Sequence, residues 1–256
     1  GFLYLGRRAL GDPPPTVFEW RNAAIIGVFL LVGGNGGVVW AEQFVTSSLA
    51  ALVVATVPLW IVLFEGLRPG GQRPDLMALF SVLIGFSGVV LLVGSAGGAA
   101  DTMSVVGLAV LVLASLSWAG GSLYARNAGL PSSPLLGTAM EMLAGGMALL
   151  LLASAHGEWT RLDLAAVSTR SAVALVYLTV IGSAGFVAYA WLLRVAPTSL
   201  VATYAYVNPL VAVVLGHVLA DETVGLRTIT AGALIVGAVA LASMPKHWRA
   251  AALERP

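Results

Sequence analysis

Charge is what this sequence has least of. Asp, Glu, Lys and Arg make up 10% of the 256 residues, against about 25% in an ordinary soluble domain. Hydrophobic residues make up 59%, more than the interior of a soluble fold of this length can hide. The bilayer is therefore the expected solvent. Cysteine is absent, which excludes a disulfide frame and a thiolate metal site. The three histidines, His156, His217 and His247, stand at no ligand spacing, so no metal and no cofactor is expected. The one lysine, Lys246, follows the last apolar run, which removes Ser-Lys and Schiff-base chemistry from the membrane. H-E-x-x-H and G-x-S-x-G motifs are missing, so an enzyme is not expected. The formal net charge is only +1, without the clustered basic surface that nucleic acid calls for.

Long apolar runs are what the sequence does have. A spanning helix needs about 20 mostly apolar residues, and eight such runs are expected at 23–42, 46–67, 76–95, 104–125, 134–155, 171–193, 198–219 and 226–244. Short Pro-, Gly- and Arg-containing connections punctuate them. The one long connection, "HGEWTRLDLAAVSTR", has room for a short interfacial helix with Trp159 at headgroup depth. With the segment before the first full run placed inside, ten basic residues fall on the cytoplasmic side. They are Arg7, Arg8, Arg21, Arg68, Arg73, Arg126, Arg194, Lys246, Arg249 and Arg255, and only Arg161, Arg170 and Arg227 fall outside. This positive-inside bias predicts a cytoplasmic C-terminus.

The sequence also repeats itself. Shifted by 151 residues, Gly34 meets Gly185, Trp40 meets Trp191, Ser48-Leu49 meets Ser199-Leu200, and Pro58-Leu59 meets Pro209-Leu210. A tryptophan and a mid-helix proline are not cheap matches in such a composition. A two-residue gap then brings Gly88 onto Gly237. Five spans separate one Pro helix from its twin, and an odd number makes the two copies face opposite ways. That is the inverted-repeat design of secondary transporters, with a site near the midplane. The same offset leaves 104–125 and 134–155 with partners lying mostly before residue 1. The expected parent thus has ten spans, with its first and most of its second missing and "GFLYLGRR" as the tail of the second. Residues 1–95 form the first repeat, 104–244 the second, and 245–256 a cytoplasmic tail.

Pro58 and Pro209 are expected to break their helices, freeing carbonyls near Val54 and Ala205 that lipid cannot satisfy. Tyr204 and Asn208, four apart, share a face and are expected to line a substrate cavity with Tyr206, Trp118, Asn35 and Thr56. The bland alternative is that Tyr and Asn hydrogen-bond helices together. The twin of the second Pro helix is apolar where Tyr204, Tyr206 and Asn208 stand, with Ser48 and Thr56 as its polar residues. The two halves are thus chemically unequal. Glu141 is the one acid well inside a span, and an intramembrane acid is a functional hypothesis by default. It is a candidate for proton coupling or for binding a substrate amine. The alternative is a protonated Glu bonded to a neighbouring helix. Gly137, Thr138, Ala144, Gly145 and Ala148 lie along its face. No basic residue lies at its depth in the other helices, so no buried ion pair is expected.

"ATYAYVNPLVAVVLG…DETVGLRTITAGALIVGAVAL" resembles the second half of EamA-type members of the drug/metabolite transporter (DMT) superfamily. "VVWAEQFVTSSLAALVVATVPL" is similar to the matching stretch of the first half, and "SLSWAGGSLYARNAGLPSSPLLGTAMEMLAGG" resembles the YedA-like branch. The resemblance covers nearly the whole chain. It implies an all-α polytopic protein of the bacterial inner membrane, two five-helix EamA units, a central cavity and export of small metabolites such as amino acids. The family's acidic residue after the Pro helix is present in the second half as Glu222, while "LRPGGQRP" in the first half lacks it. The family's first helix, with its Trp-Gly-Ser motif, has no counterpart here. A flippase, a channel-like protein or a non-transporting remnant are the other readings.

Overall fold

The computed structural model describes residues 1–68, 76–93, 102–196, 201, 208, 211, 214–218 and 225–243. All of the regular structure among them is helical. The helices are α1 (Phe2–Ala9), α2 (Val17–Gly27), α3 (Gly37–Ala41), α4 (Ser47–Val54), α5 (Val57–Leu67), α6 (Leu76–Val93), α7 (Thr102–Ala125), α8 (Pro134–Ala155), α9 (Thr169–Tyr177), α10 (Ser183–Val195) and α11 (Leu226–Ser243). Five stretches among the described residues are long and apolar enough to cross a membrane: Val17–Ala41, Leu49–Leu67, Val105–Ala125, Pro134–Ala155 and Thr169–Val195. The helices α6 and α11 are each 18 residues long, about 27 Å of rise. The expected run at 198–219 is helical at each of its described positions.

Local chemistry sets the helix ends. Thr16 opens α2 with a reciprocal capping box: its hydroxyl accepts from the Glu19 amide at 3.2 Å, and the Glu19 carboxylate accepts from the Thr16 amide at 2.7 Å. Ser133 caps α8 with Pro134 just inside, where a missing amide is least costly. The long connection carries two short 3-10 turns, Glu158–Thr160 and Leu164–Ala166. Trp159 is exposed there, its indole donating to the Ser154 hydroxyl at 2.8 Å. After α1, Arg7 donates twice to the Asp12 carboxylate, at 2.8 Å each. That hydrogen bond holds the Asp12 carboxyl below its usual range. The pairing therefore stabilises the turn above the ordinary Asp range and fades as pH falls through the lowered value.

Among the described residues, two spans contain π-helix. A π-helical stretch, Val28–Gly36, joins α2 to α3, and a shorter one, Leu178–Gly182, joins α9 to α10. Under the 151-residue shift, 28–31 falls on 179–182, so both copies widen at the same place. At Pro58 the span is divided into two helices. The helix α4 stops at Val54, and α5 starts at Val57 with Pro58 in its first turn. The Val53 carbonyl accepts from the Thr56 amide at 3.0 Å and from the Thr56 hydroxyl at 2.6 Å. The Ser115 hydroxyl of α7 approaches the same carbonyl at 3.4 Å.

The chain forms two compact units, Gly1–Val32 with Tyr124–Pro197, and Gly33–Leu123 with Thr198–Pro256. In the first, α2 lies on α8, and α1 and α10 also pack on α8. Ala23, Leu136 and Met140 are its buried apolar centre, flanked by Tyr4, Trp20 and Leu130. Gly27 and Gly145 allow α2 and α8 to touch backbone to backbone. A Cβ on Gly145 would stand 2.7 Å from the Gly27 carbonyl oxygen, and one on Gly27 would stand 2.8 Å from the Gly145 amide. In the second unit, α6 packs along α11. Gly88 provides the close approach there, its absent Cβ falling 2.8 Å from Ile235 and 3.0 Å from the Ala231 carbonyl. Leu52, Val53, Leu108, Leu111, Ala231 and Ile235 belong to the buried core of that unit.

Glycine contacts of this kind give a sharp stability contrast. Replacing Gly145 with Leu is expected to lower the melting temperature markedly, since overpacking against backbone costs about 1–3 kcal/mol or more. Its neighbour Gly146 has open space around it, so Gly146→Leu is expected to melt like the parent. Thermal unfolding of both variants in detergent, followed by size-exclusion chromatography, checks this.

Candidate functional site

The first unit holds a charged group deep within a spanning helix. Glu141 lies two turns into α8 and is 2% exposed. Its helix face is built from small residues, as the sequence predicted. Gly145 is pressed against α2, and the Thr138 hydroxyl donates back to the Pro134 carbonyl at 2.9 Å. No side chain among the described residues donates to the Glu141 carboxylate.

The Arg194 side chain comes nearer to Glu141 than the sequence reading placed it. Arg194, counted among the loop charges, is part of the last turn of α10 and half-buried. Its side chain reaches back over Gly137, one turn before Glu141, and its charge is coupled to that of Glu141. A basic group does therefore lie within electrostatic reach of the intramembrane acid, although no direct salt bridge joins them. The long Arg stem is the physical reason: it carries the charge well away from its own Cα.

A polar clamp that sequence reading missed lies nearby. Asn22 of α2 is 1% exposed. Its amide nitrogen donates to the Gly129 carbonyl at 2.9 Å, and its oxygen accepts from the Tyr124 hydroxyl at 2.8 Å. Arg194 Nη1 donates to the Pro131 carbonyl at 3.1 Å. Both bonds end on the connection between α7 and α8. The signal in sequence was present but faint: a single Asn inside an apolar helix, with its partner 102 residues away.

The remaining candidates are dispersed. Thr56 is buried, with its hydroxyl engaged by the Val53 carbonyl, and Pro58 is buried beside it. Asn35 lies in the π-helical stretch and is exposed. Trp118 is half-buried on α7, and its carbonyl accepts from Ser122 at 2.6 Å. Asn208 is helical and exposed. Tyr204, Tyr206 and Pro209 lie outside the described residues, as does Glu222. Among the described residues, no group of three His, Asp or Glu side chains is arranged to hold a metal ion.

Comparison with known proteins places this geometry. The model of the EamA-like transporter family matches residues 2–94 and again 105–244. The chain belongs to the EamA-like transporter family. An inner membrane transporter of Escherichia coli K12, YedA, whose function is uncharacterised, is 38% identical over 240 residues, covering 93% of this chain and 75% of that one. The uncharacterised transporter YvbV of Bacillus subtilis is 25% identical over 281 residues, covering 97% and 89%. A chloroplastic WAT1-related protein of Arabidopsis thaliana is 22% identical, covering 91% of this chain and 57% of its own. A crystallographically solved chain superposes over 99% of this EamA protein and 84% of its own length, with a TM-score of 0.63 at 20% identity. That likeness concerns the fold alone.

The Asn22 clamp makes a testable claim about the site's floor. Asn22→Ala removes the bonds to the Gly129 carbonyl and the Tyr124 hydroxyl. Tyr124 and Gly129 are exposed, so the expected cost is that of the two lost bonds, about 0.5–1.5 kcal/mol each. Tyr124→Phe removes one of the two bonds and is expected to cost less, about 1 kcal/mol. Melting temperatures of the two variants and of the double variant check the order. Full additivity would show that the groups do not act together.

Proposed function

We propose that this EamA protein is a secondary transporter of the bacterial inner membrane that exports small metabolites such as amino acids or their analogues. Family membership over both halves of the chain supports the transporter reading, and the similarity to YedA, an inner membrane transporter, supports the inner membrane. The observation that carries the mechanistic part is Glu141: an acid 2% exposed within a spanning helix, with no hydrogen-bond donor from the described side chains. Such groups are expensive in a membrane and mark substrate or proton routes.

In this reading the two EamA repeats face opposite ways and alternate about a midplane cavity. Tyr204, Tyr206, Asn208, Trp118, Asn35 and Thr56 line it, and Pro58 and Pro209 break the two helices beside it. Glu141 exchanges a proton as cargo moves. Positive-inside bias puts the C-terminus in the cytoplasm.

Efflux from vesicles carrying the protein tests this. The vesicles are loaded with labelled amino acids, nucleobases and lipophilic cations, with and without a pH gradient. Saturable flux of one class is expected, at least tenfold lower in Tyr204→Ala and Asn208→Ala if those residues contact cargo. In Glu141→Gln, flux driven by the pH gradient is expected to vanish. Undiminished pH-driven flux in that variant removes Glu141 from coupling. No flux of any class from folded protein overturns the transporter reading and leaves a flippase, a channel or a non-transporting remnant.

A further inference from the structure

The mechanism above uses Glu141 and leaves Arg194 without a task. Three observations define what that side chain offers. Its guanidinium lies over Gly137, where a Cβ would collide with Nη2. The glycine is therefore the notch that lets the guanidinium sit against α8. Nη1 is held by the Pro131 carbonyl at 3.1 Å, so the plane of the group is fixed in advance. Nη2 is buried and has no acceptor among the described residues.

A buried donor left unpaired is costly, and more so on a charged group, and calls for an explanation. Glu141 is not the missing acceptor, since no direct salt bridge forms between them although their charges are coupled. Gly137 and Glu141 are four residues apart and so lie on one face of α8. Nη2 therefore lies over the turn of α8 that precedes Glu141. Arg is the residue suited to planar recognition of carboxylate, through its rigid fork of donors.

We propose that Arg194 is a carboxylate anchor on the transport route, its free Nη2 taking the carboxylate of a cargo whose ammonium faces Glu141. The proposal rests on the transporter reading and deepens it: it assigns a specificity residue and requires cargo with an acidic group. Pro131 and Gly137 are the positioning elements, one holding Nη1 and the other leaving room for the fork.

The test is equilibrium binding to the purified protein in lipid nanodiscs, with labelled L-leucine as probe and L-leucinamide and 4-methylpentanoate as competitors. In the parent, 4-methylpentanoate is expected to compete, and leucinamide to compete at least about tenfold less well than leucine itself. Arg194→Gln is expected to bring leucine and leucinamide within about twofold of each other. Arg194→Lys keeps the charge but not the fork. It is expected to weaken leucine about tenfold and leave leucinamide unchanged, which keeps the test valid if the Gln variant fails to fold. Absence of carboxylate binding in the parent, or an unchanged leucine-to-leucinamide ratio in both variants, overturns the anchor. Vesicle efflux of labelled leucine by the parent separates the two levels. Saturable flux keeps the transporter reading, whether or not the leucine-to-leucinamide ratio responds to Arg194→Gln.

Discussion

Hydrocarbon offers no hydrogen bonds, and every feature of this chain answers to that. An exposed backbone amide or carbonyl in the bilayer costs several kcal/mol, so the chain closes its bonds within each segment as helix. Where a helix breaks, the chain must supply the lost partners itself. At Ala55–Thr56 it does so with three donors on one carbonyl: the Thr56 amide, the Thr56 hydroxyl and, more distantly, the Ser115 hydroxyl of α7. Pro58 then costs nothing further, because it sits in the first turn of the next helix. The π-helical stretches are a gentler answer. They shift the bonding register while keeping the amides paired.

The same solvent changes how helices attract one another. Lipid tails are as apolar as leucine, so association depends on close packing and on interhelical hydrogen bonds. Both are present, and they serve different ends. Gly27 on Gly145, and Gly88 on Ala231, bring backbones together. Asn22 and Arg194 tie α2 and α10 to the connection entering α8, and Tyr124 ties α7 to Asn22 of α2. The Gly27 contact bears on the site directly, because a Cβ there would strike the carbonyl of Glu141. The position of the acid along α8 is therefore fixed by packing on α2, independently of any bond to its carboxylate.

Much of this was legible in the sequence. The length and spacing of apolar runs located the helices, since a 20-residue requirement leaves little freedom. Glu141 stood out because acids are rare in such runs, and on its face Gly137, Thr138 and Gly145 are buried. Two kinds of fact were not legible. Arg194 was assigned to a loop because charge counting follows Cα positions, whereas its guanidinium acts over Gly137. Asn22 passed unnoticed because its meaning lies in Tyr124 and Gly129, more than a hundred residues away. The proline was seen and its consequence half seen: a break was read, but not that Thr56 would close it with its own hydroxyl.

That last point bears on what Thr56 can do as a cavity residue. A hydroxyl has one proton, and the 2.6 Å bond to Val53 uses it. Toward cargo, Thr56 then has only acceptor capacity, unless the break at Ala55 rearranges. Glu141 presents the opposite case. Its carboxylate is placed by the fold but engaged by no described donor, so its state is open to whatever comes near. A transport cycle needs groups of both kinds: some whose bonds are complete, to keep a broken helix intact, and some left incomplete, for a passing charge to satisfy. In this chain the first kind is found at the Pro58 break and the second along α8, where a guanidinium lies over Gly137.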